Sequence, residues 1–329
     1  MIGVCIVTYN QEQYIAQCIE SVLMQEPCGH KVVAYIGDDC STDNTLTICE
    51  EIANRAKREN LKDKNIKVIH NEKNLGLVGN TMNLLDIMRK DGCEYIAMLD
   101  GDDYWSDCKK LQKQMAYFEQ HPEYGLVHTY VDLLWPDGIR RYPKRYVPEG
   151  NVFQYMGHSY PIANCSVVFR TQLLDMIDFD DFQRHGLLSC DYSMYAIFAS
   201  KCQIGFIPDY TGVWRRGIES VSGTSDMERQ IRYVYNELAH WRYLAKLFPH
   251  RWTYTEEDGN AYLHMCAFNI AFRFGDCERA MYEAQLMSQE DRSNHWFKIA
   301  CTHSWLLFNI YRWVQYTRNQ IGIYKFRYV

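Results

Sequence analysis

Three carboxylates stand within four residues at Asp100-Gly101-Asp102-Asp103. Like charges this close repel, and folding would be easier without them. A hard cation relieves the repulsion, because Mg²⁺ and Mn²⁺ prefer oxygen ligands. A cation held by few carboxylates also keeps positions open for substrate phosphates. Alone, such a cluster equally reads as a solvated acidic turn capping the helix that starts near Lys109. Its position decides for the cation. It follows the apolar run Glu94–Leu99, and three other polar clusters end apolar runs in the same way: Thr8-Tyr9-Asn10, Asp38-Asp39-Cys40-Ser41-Thr42-Asp43, and His70-Asn71 with Asn74-Leu75-Gly76 close behind. In a parallel α/β sheet ligands bind beyond the carboxyl ends of the strands, so all four clusters fall on one edge.

Those runs alternate with helical patterns through the first 120 or so residues. Ile2–Thr8, Lys31–Ile36, Ile66–His70 and Glu94–Leu99 read as buried strands. Gln13–Met24, Thr42–Arg58, Leu77–Arg89 and Lys109–Gln120 carry apolar residues at helical spacing, with Ser41 and Asn44 as capping chemistry for the second. Repeated β-α-β units predict a parallel sheet with helices on both faces. The alternation then fades. Tyr124–Leu134, Asn164–Phe169 and Gln203–Ile207 read as strands, Asp191–Ser200 as a helix, and 135–161 as a proline-rich loop. From Asp226 the pattern is helical and aromatic. This predicts two domains, 1–225 and 226–329.

Two phosphate-binding signatures are missing. No GxGxxG follows the first strand; Gly76-Leu77-Val78-Gly79 lacks the third glycine and sits in the wrong unit. No GxxxxGK[ST] occurs. Phosphates here are expected to be neutralised by a metal, not cradled by a glycine loop.

With 47% hydrophobic and 23% charged residues the chain has globular composition, and its net charge of -6 argues against broad nucleic-acid binding. The thirteen cysteines are scattered singly, without CxxC or zinc spacing, and read as buried free thiols, which favours a reducing compartment. The N-terminus lacks the features of a signal peptide, and no stretch reaches the ~18 apolar residues of a membrane span. A cytoplasmic protein is expected.

In order, Thr8-Tyr9-Asn10, Asp38-Asp39-Cys40-Ser41-Thr42-Asp43, Asn74-x-Gly76 and Tyr95-Ile96-Ala97-Met98-Leu99-Asp100-Gly101-Asp102-Asp103 resemble the motifs of family 2 glycosyltransferases. Tyr104-Trp105 and Lys110-Leu111-Gln112-Lys113-Gln114 resemble a subgroup common in bacterial polysaccharide assembly. Trp214-Arg215-Arg216-Gly217-Ile218-Glu219-Ser220-Val221-Ser222 resembles the family's late Tyr-Arg-x-His-x-x-Ser-x-Ser segment. The resemblance covers residues 1–225 and implies a GT-A fold: α/β, Rossmann-like, with a mostly parallel central sheet, here carrying an α-helical C-terminal extension. It implies an inverting, metal-dependent transfer from a nucleotide-sugar, a UDP-sugar first, to a saccharide or lipid-linked saccharide hydroxyl.

Carried over residue by residue, the resemblance gives Thr8, Tyr9, Asn10 and Asn74 to the nucleotide pocket and Asp39 to the base. Asp102 would hold Mn²⁺ or Mg²⁺ at the diphosphate, and Asp100 would contact the ribose or a metal-bound water. Asp103 would support the donor sugar or cap the next helix. Trp105 would wall a sugar or pack under the metal loop, and Asn164 would touch the acceptor. Arg215 and Arg216 would neutralise the leaving diphosphate, with Gly217 standing where the family has a histidine. His158 reads as a residue of a mobile loop. Inverting transfer also needs a base for the acceptor proton. Asp191, in Ser189-Cys190-Asp191-Tyr192, fits the family's position, although Cys190 departs from its usual acidic or glycine neighbour; Asp180 and Asp181 are weaker rivals.

Two other readings stay open: a sugar-1-phosphate nucleotidylyltransferase, for which the glycine-rich Arg/Lys loop is missing, and a saccharide-binding scaffold without turnover. The tail adds a further feature. Residues 291–329 hold six Lys/Arg and one acid, Asp291, and 296–316 reads as one amphipathic helix. It would pack on the catalytic domain or lie on an anionic membrane surface, with Trp305 and Trp313 near the headgroups.

Overall fold

The computed structural model describes residues 1–59, 64–141, 143–156, 162–216, 226–252 and 255–320, the last six without their side chains. His158, Gly217 and the late segment beyond Arg216 lie outside these residues. The chain divides into two compact units, Met1–Gly217 and Ile218–Val329.

The first unit is built on one mixed sheet. Its strands are β1 (Ile2–Thr8), β2 (Val32–Asp38), β3 (Lys64–His70), β4 (Tyr95–Asp100), β5 (Tyr104–Trp105), β6 (Tyr124–Trp135), β7 (Gly138–Arg140), β8 (Val168–Arg170) and β9 (Gln203–Arg215), in the order β3-β2-β1-β4-β8-β6-β9-β5 with β7 on β6. All seven residues of β1 and of β2 are buried, as expected of parallel strands covered on both faces. The parallel register pairs Thr8 with Asp38, Asp38 with His70, and Val7 with Asp100. The four polar clusters therefore sit at one level on one edge. The helices are α1 (Ile15–Leu23), α2 (Thr45–Arg58), α3 (Gly76–Lys90), α4 (Lys110–Gln120), α5 (Phe153–Met156), α6 (Phe179–Arg184) and α7 (Asp191–Ala199).

The architecture is the expected α/β one, with local differences. Asn164–Phe169 is not one strand: Asn164–Ser166 forms a 3₁₀ turn before β8. β9 runs eight residues further than the apolar run at Gln203–Ile207, because it pairs along the whole of β6. The start of α2 is satisfied not by Ser41 or Asn44 but by Asp43, which accepts from the Thr45 amide, and by Glu12, which accepts from that of Asn44. All thirteen cysteines are unpaired and eight are buried, where they act as small hydrophobes.

The second unit is helical: α8 (Met227–Leu247), α9 (Glu256–Phe274), α10 (Cys277–Leu286), α11 (Gln289–Asn294), α12 (Trp296–Thr302) and α13 (Trp305–Gln320). Asp226, Thr255, Asp276 and Ser288 each accept from the amide three residues on, which caps α8 to α11. Gly275, at φ 90°, ends α9 in the left-handed conformation that favours glycine. The amphipathic stretch 296–316 is two helices, broken at His303-Ser304; the Ser304 carbonyl takes the Phe308 amide and restarts the helix. Among the described residues, no helix is long and apolar enough to cross a membrane.

Candidate active site

The first two loops of the carboxyl edge are latched together. Asn10, at φ 51°, donates its amide to Ser41 Oγ (2.9 Å), and its Oδ1 accepts from the Thr42 amide (2.8 Å). Asp43 Oδ2 accepts from the Glu12 amide (3.1 Å). Asn10 is thus spent on shaping the edge. Tyr9 beside it is exposed. Thr8 is buried and donates its hydroxyl to Gln11 Oε1 (2.8 Å).

Asp39 organises the third loop. Its Oδ1 accepts from Asn71 Nδ2 (2.9 Å) and the Leu75 amide (2.8 Å), and its Oδ2 from the Gly76 amide (2.9 Å). A carboxylate has about four acceptor positions, so roughly one is left for a ligand. The negative charge also meets the start of α3, where free amides favour it. Asn74 Oδ1 shares the Gly76 amide (3.0 Å), which places Asn74 on the same loop.

The Asp100–Asp103 cluster is the electrostatic centre. Burial first, then the charge of Asp102, pushes Asp100 up to about 7, against the pull of Asn164's hydrogen bonds; the charge of Asp191 adds to the rise. Asp102 is raised by burial and held down in part by the Arg215 guanidinium. Asp103 is raised well above the carboxylate range by burial and by its two neighbours. Three acids with one cation beside them are short of positive charge. Oxygen donors, excess negative charge and a carboxylate with no side-chain donor (Asp102, among the described residues) suit a hard divalent ion. No group of three or more His, Cys, Asp and Glu among the described residues could enclose a metal, so phosphate and water oxygens would have to complete its coordination.

Arg215 lies at this cluster. Its Nε donates to the Asp102 carbonyl (2.8 Å) and its Nη2 to Gln17 Oε1 (2.9 Å), and the guanidinium stacks 4.6 Å from the Tyr14 ring. Arg216, one residue on, points away, as neighbours in an extended chain do, and lies 4.4 Å from the Trp214 ring. Arg215 is the arginine whose side-chain bonds reach the Asp100–Asp103 loop. Asp103 makes this placement: it is 3% exposed, and its Oδ1 accepts from the Arg215 amide (2.8 Å), tying β9 to the loop. The start of α4 does not use it; Asp107 accepts from the Lys109 amide instead. Trp105 is also buried, donating Nε1 to the Cys165 carbonyl (2.9 Å) with Lys110 over its ring at 4.6 Å. It packs under the Asp100–Asp103 loop.

The remaining side of the site comes from α7. Asp191 is its first residue, half-buried and close enough to Asp100 to raise it. Asn164, on the 3₁₀ turn, donates Nδ2 to both carboxylate oxygens of Asp100 (3.0 and 3.1 Å) and accepts from the Tyr195 hydroxyl (2.6 Å). Tyr195 is buried one turn along α7 from Asp191. A chain Tyr195–Asn164–Asp100 therefore ties the candidate base helix to the Asp100–Asp103 loop. Cys190 is buried beside Thr81 of α3. Asp180 and Asp181 lie on α6, where Asp181 pairs with exposed Arg184. Tyr195, Gln17 and Tyr14 were not singled out from the sequence; Tyr195 could have been, as the residue four positions from Asp191 on the same helical face.

The family model for glycosyl transferase family 2 matches residues 3–177, just over half of the chain. The chain belongs to this family. An uncharacterized protein of Mycobacterium tuberculosis is 28% identical over 227 residues, 68% of this chain and 61% of its own length. The chain thus spans about three fifths of that relative. The poly(ribitol-phosphate) β-N-acetylglucosaminyltransferase TarS of Staphylococcus aureus is 28% identical over 167 residues, 51% of this chain and 26% of TarS. The crystal structure of TarS 1–349 in complex with UDP-GlcNAc superposes with a TM-score of 0.52 at 16% identity, covering 100% of this chain and 94% of that one. The mannosyltransferase PcManGT of Pyrobaculum calidifontis, solved with GDP-Man and Mn²⁺, gives 0.56 at 16% identity over 98% and 88%. At such identities the superpositions speak for the fold: a mixed α/β sheet of GT-A type with a helical C-terminal region. In this family 2 chain, the matched residues include every strand-end cluster of the edge and Asn164, whereas Asp191 and Arg215 lie beyond them.

Proposed function

We propose that this chain transfers one sugar, with inversion, from a nucleotide-sugar to a hydroxyl of a saccharide or lipid-linked saccharide, with Asp191 as the base. The observation that carries the reading is the convergence of Asp191 and the Asp100–Asp102 pair at one strand edge, joined through Asn164 and Tyr195. The donor's nucleoside would lie over Tyr9 and the loop organised by Asp39 and Asn74. The one remaining acceptor position of Asp39 suits an imide N–H, which favours uridine. UDP-GlcNAc bound to TarS and GDP-Man bound to PcManGT support a nucleotide-sugar donor without choosing between bases.

Asp102, with Asp100 beside it, would hold Mg²⁺ or Mn²⁺, which when bound neutralises diphosphate charge; the Mn²⁺ of PcManGT supports this. The chain's own groups do the rest. Arg215 stabilises charge on the departing nucleoside diphosphate. The Asp191 carboxylate takes the acceptor hydroxyl proton as that oxygen bonds to the anomeric carbon and the bond to the diphosphate breaks. Inversion follows from the single displacement, so an α-linked donor gives a β-linked product. Asp103 and Trp105 act as supports, Asp103 by placing Arg215. Homology to TarS supports a role in cell-envelope polysaccharide synthesis.

A panel of nucleotide-sugars, assayed for nucleoside diphosphate release, tests the donor class. Asp191→Asn tests the base: transfer should fall by at least about a thousandfold, with nucleotide affinity within about twofold of wild type. Equal turnover by the variant would overturn the assignment.

A further inference from the structure

Among the described residues, the Arg215 guanidinium bonds to none of the carboxylates beside it. Its two side-chain acceptors, the Asp102 carbonyl (2.8 Å) and Gln17 Oε1 (2.9 Å), are both neutral. The carboxylates are held by other groups. Asp100 accepts from Asn164 Nδ2 with both oxygens, and Asp103 accepts from the Arg215 amide. Arg215 offsets part of the Asp102 charge through space, without a hydrogen bond to that carboxylate.

That arrangement needs a cause. A guanidinium next to a carboxylate settles by default into a fork-on-fork pair, the strongest bond open to either group. Here α1 supplies an alternative. Tyr14 stands at its N-cap and Gln17 three residues on, so the two are neighbours on the helix surface. The guanidinium lies 4.6 Å from the Tyr14 ring and 5.8 Å from the Tyr104 ring, and Gln17 takes an Nη2 proton. Ring, amide oxygen and Asp102 carbonyl together fix the guanidinium plane, and none of them removes its charge. Of the five N–H groups of an arginine side chain, these bonds use two. Gln17 is exposed, so its bond does little for the core. A glutamate at 17 would pair with Arg215 and cancel the cation inside the protein.

We infer that Tyr14 and Gln17 are positioning residues for anion binding: they hold Arg215 off the neighbouring carboxylates and leave its charge for the diphosphate of a donor. The inference rests on the proposed function for the identity of that anion. The clamp itself rests on the contacts of Arg215 alone. Cation–π stacking and a neutral amide acceptor suit the task, because each orients a guanidinium without neutralising it.

The test is calorimetry of the full chain with Mn²⁺ and two probes, UDP and inorganic pyrophosphate. Tyr14→Leu/Gln17→Met removes the ring and the amide and should weaken both probes about tenfold. Gln17→Glu keeps the size and helix preference of the side chain but pairs the cation, and should weaken both about tenfold or more. Tyr14→Phe keeps the ring and should recover what Tyr14→Leu loses, to within about twofold of wild type. The deciding arm is the Arg215→Met background. There Tyr14→Leu/Gln17→Met should change affinity less than about twofold, because the pair acts only through the guanidinium. Far-ultraviolet circular dichroism should be the same for all variants. Wild-type affinity in both Tyr14→Leu/Gln17→Met and Gln17→Glu would overturn the inference. So would a loss that persists in full without Arg215, or a wild type that binds neither probe. Pyrophosphate binding that follows the expected order, with no binding of UDP or GDP, would uphold the clamp and count against the nucleotide-sugar reading.

Discussion

Asp100→Asn isolates the electrostatic cost of the Asp100–Asp103 loop. In the folded chain burial and Asp102 push Asp100 from 3.8 to about 7. The folded state therefore holds a proton that the unfolded state has lost between about pH 4 and pH 7, and stability falls as pH rises through that window. The shift is about three pH units, or about 4 kcal/mol at 1.36 kcal/mol per unit. Solvent at the cleft makes that a ceiling, and about 2–4 kcal/mol is the working range. Asparagine keeps the shape and can still accept from Asn164, but it carries no charge. Metal-free urea unfolding, followed by amide protection in β1 and β4, should show Asp100→Asn gaining about 2–4 kcal/mol on wild type between pH 4 and pH 8. Excess Mn²⁺ at pH 8 should stabilise wild type more than the variant, because a cation offsets the charge that the variant lacks. A difference between the two proteins that stays flat from pH 4 to pH 8 would refute the reasoning, since the shift and the stability change are the same free energy.

Two further substitutions probe the supports of the site. Tyr195→Phe removes the hydroxyl that Asn164 Oδ1 accepts at 2.6 Å and leaves a part-buried acceptor unpaired, at about 1 kcal/mol of stability. It should lower kcat about tenfold with donor KM nearly unchanged, because it loosens the link between α7 and Asp100 without touching the nucleotide loops; wild-type kcat would count against the link. Gly101→Ala places a Cβ 2.9 Å from Thr8 Cβ and 3.0 Å from Thr8 Oγ1. The Asp100–Asp103 loop must shift, costing about 1–3 kcal/mol, and under the proposed function calorimetry should show weaker binding of UDP with Mn²⁺.

The parallel half of the sheet was legible because its signal is local. A buried strand in a parallel sheet is a continuous apolar run, and the polar residue that ends it marks the strand's carboxyl end. Ile2–Thr8 and the Asp100 terminus follow from that alone. What was not legible depends on partners far along the chain. Asn164 meets Asp100 across 64 positions, and the Arg215 amide meets Asp103 across 112. No spacing rule reports such a bond. Trp105 carried both a sugar-wall and a core reading, because a tryptophan after a turn serves either; its Nε1–H finds the Cys165 carbonyl only once β8 and its preceding turn are placed. The break at His303-Ser304 escaped the periodicity for a different reason. Both helices flanking it are amphipathic, and the apolar positions on either side of two residues keep nearly the same phase.

The acids of the carboxyl edge now separate into two groups by what their oxygens already hold. Asp39 has three protein donors, Asp43 takes the Glu12 and Thr45 amides, and Asp103 is buried on the Arg215 amide. Removing any of these leaves orphaned backbone donors and should show first as lost structure. Asp102 and Asp191 have no side-chain donor among the described residues, and Asp100 has only Asn164. Arg215 offsets part of the Asp102 charge, and among the described residues no second cation is there to repay the desolvation of the Asp100–Asp103 cluster. A folding sequence gains nothing from that arrangement, so its cost is intelligible only if something outside the chain supplies the missing positive charge and protons. A cation and diphosphate at Asp100 and Asp102, and an acceptor hydroxyl at Asp191, meet both needs at one edge. Under the proposed function, the edge contains scaffold acids and chemical acids side by side, and the hydrogen-bond partners, not the motif, tell them apart.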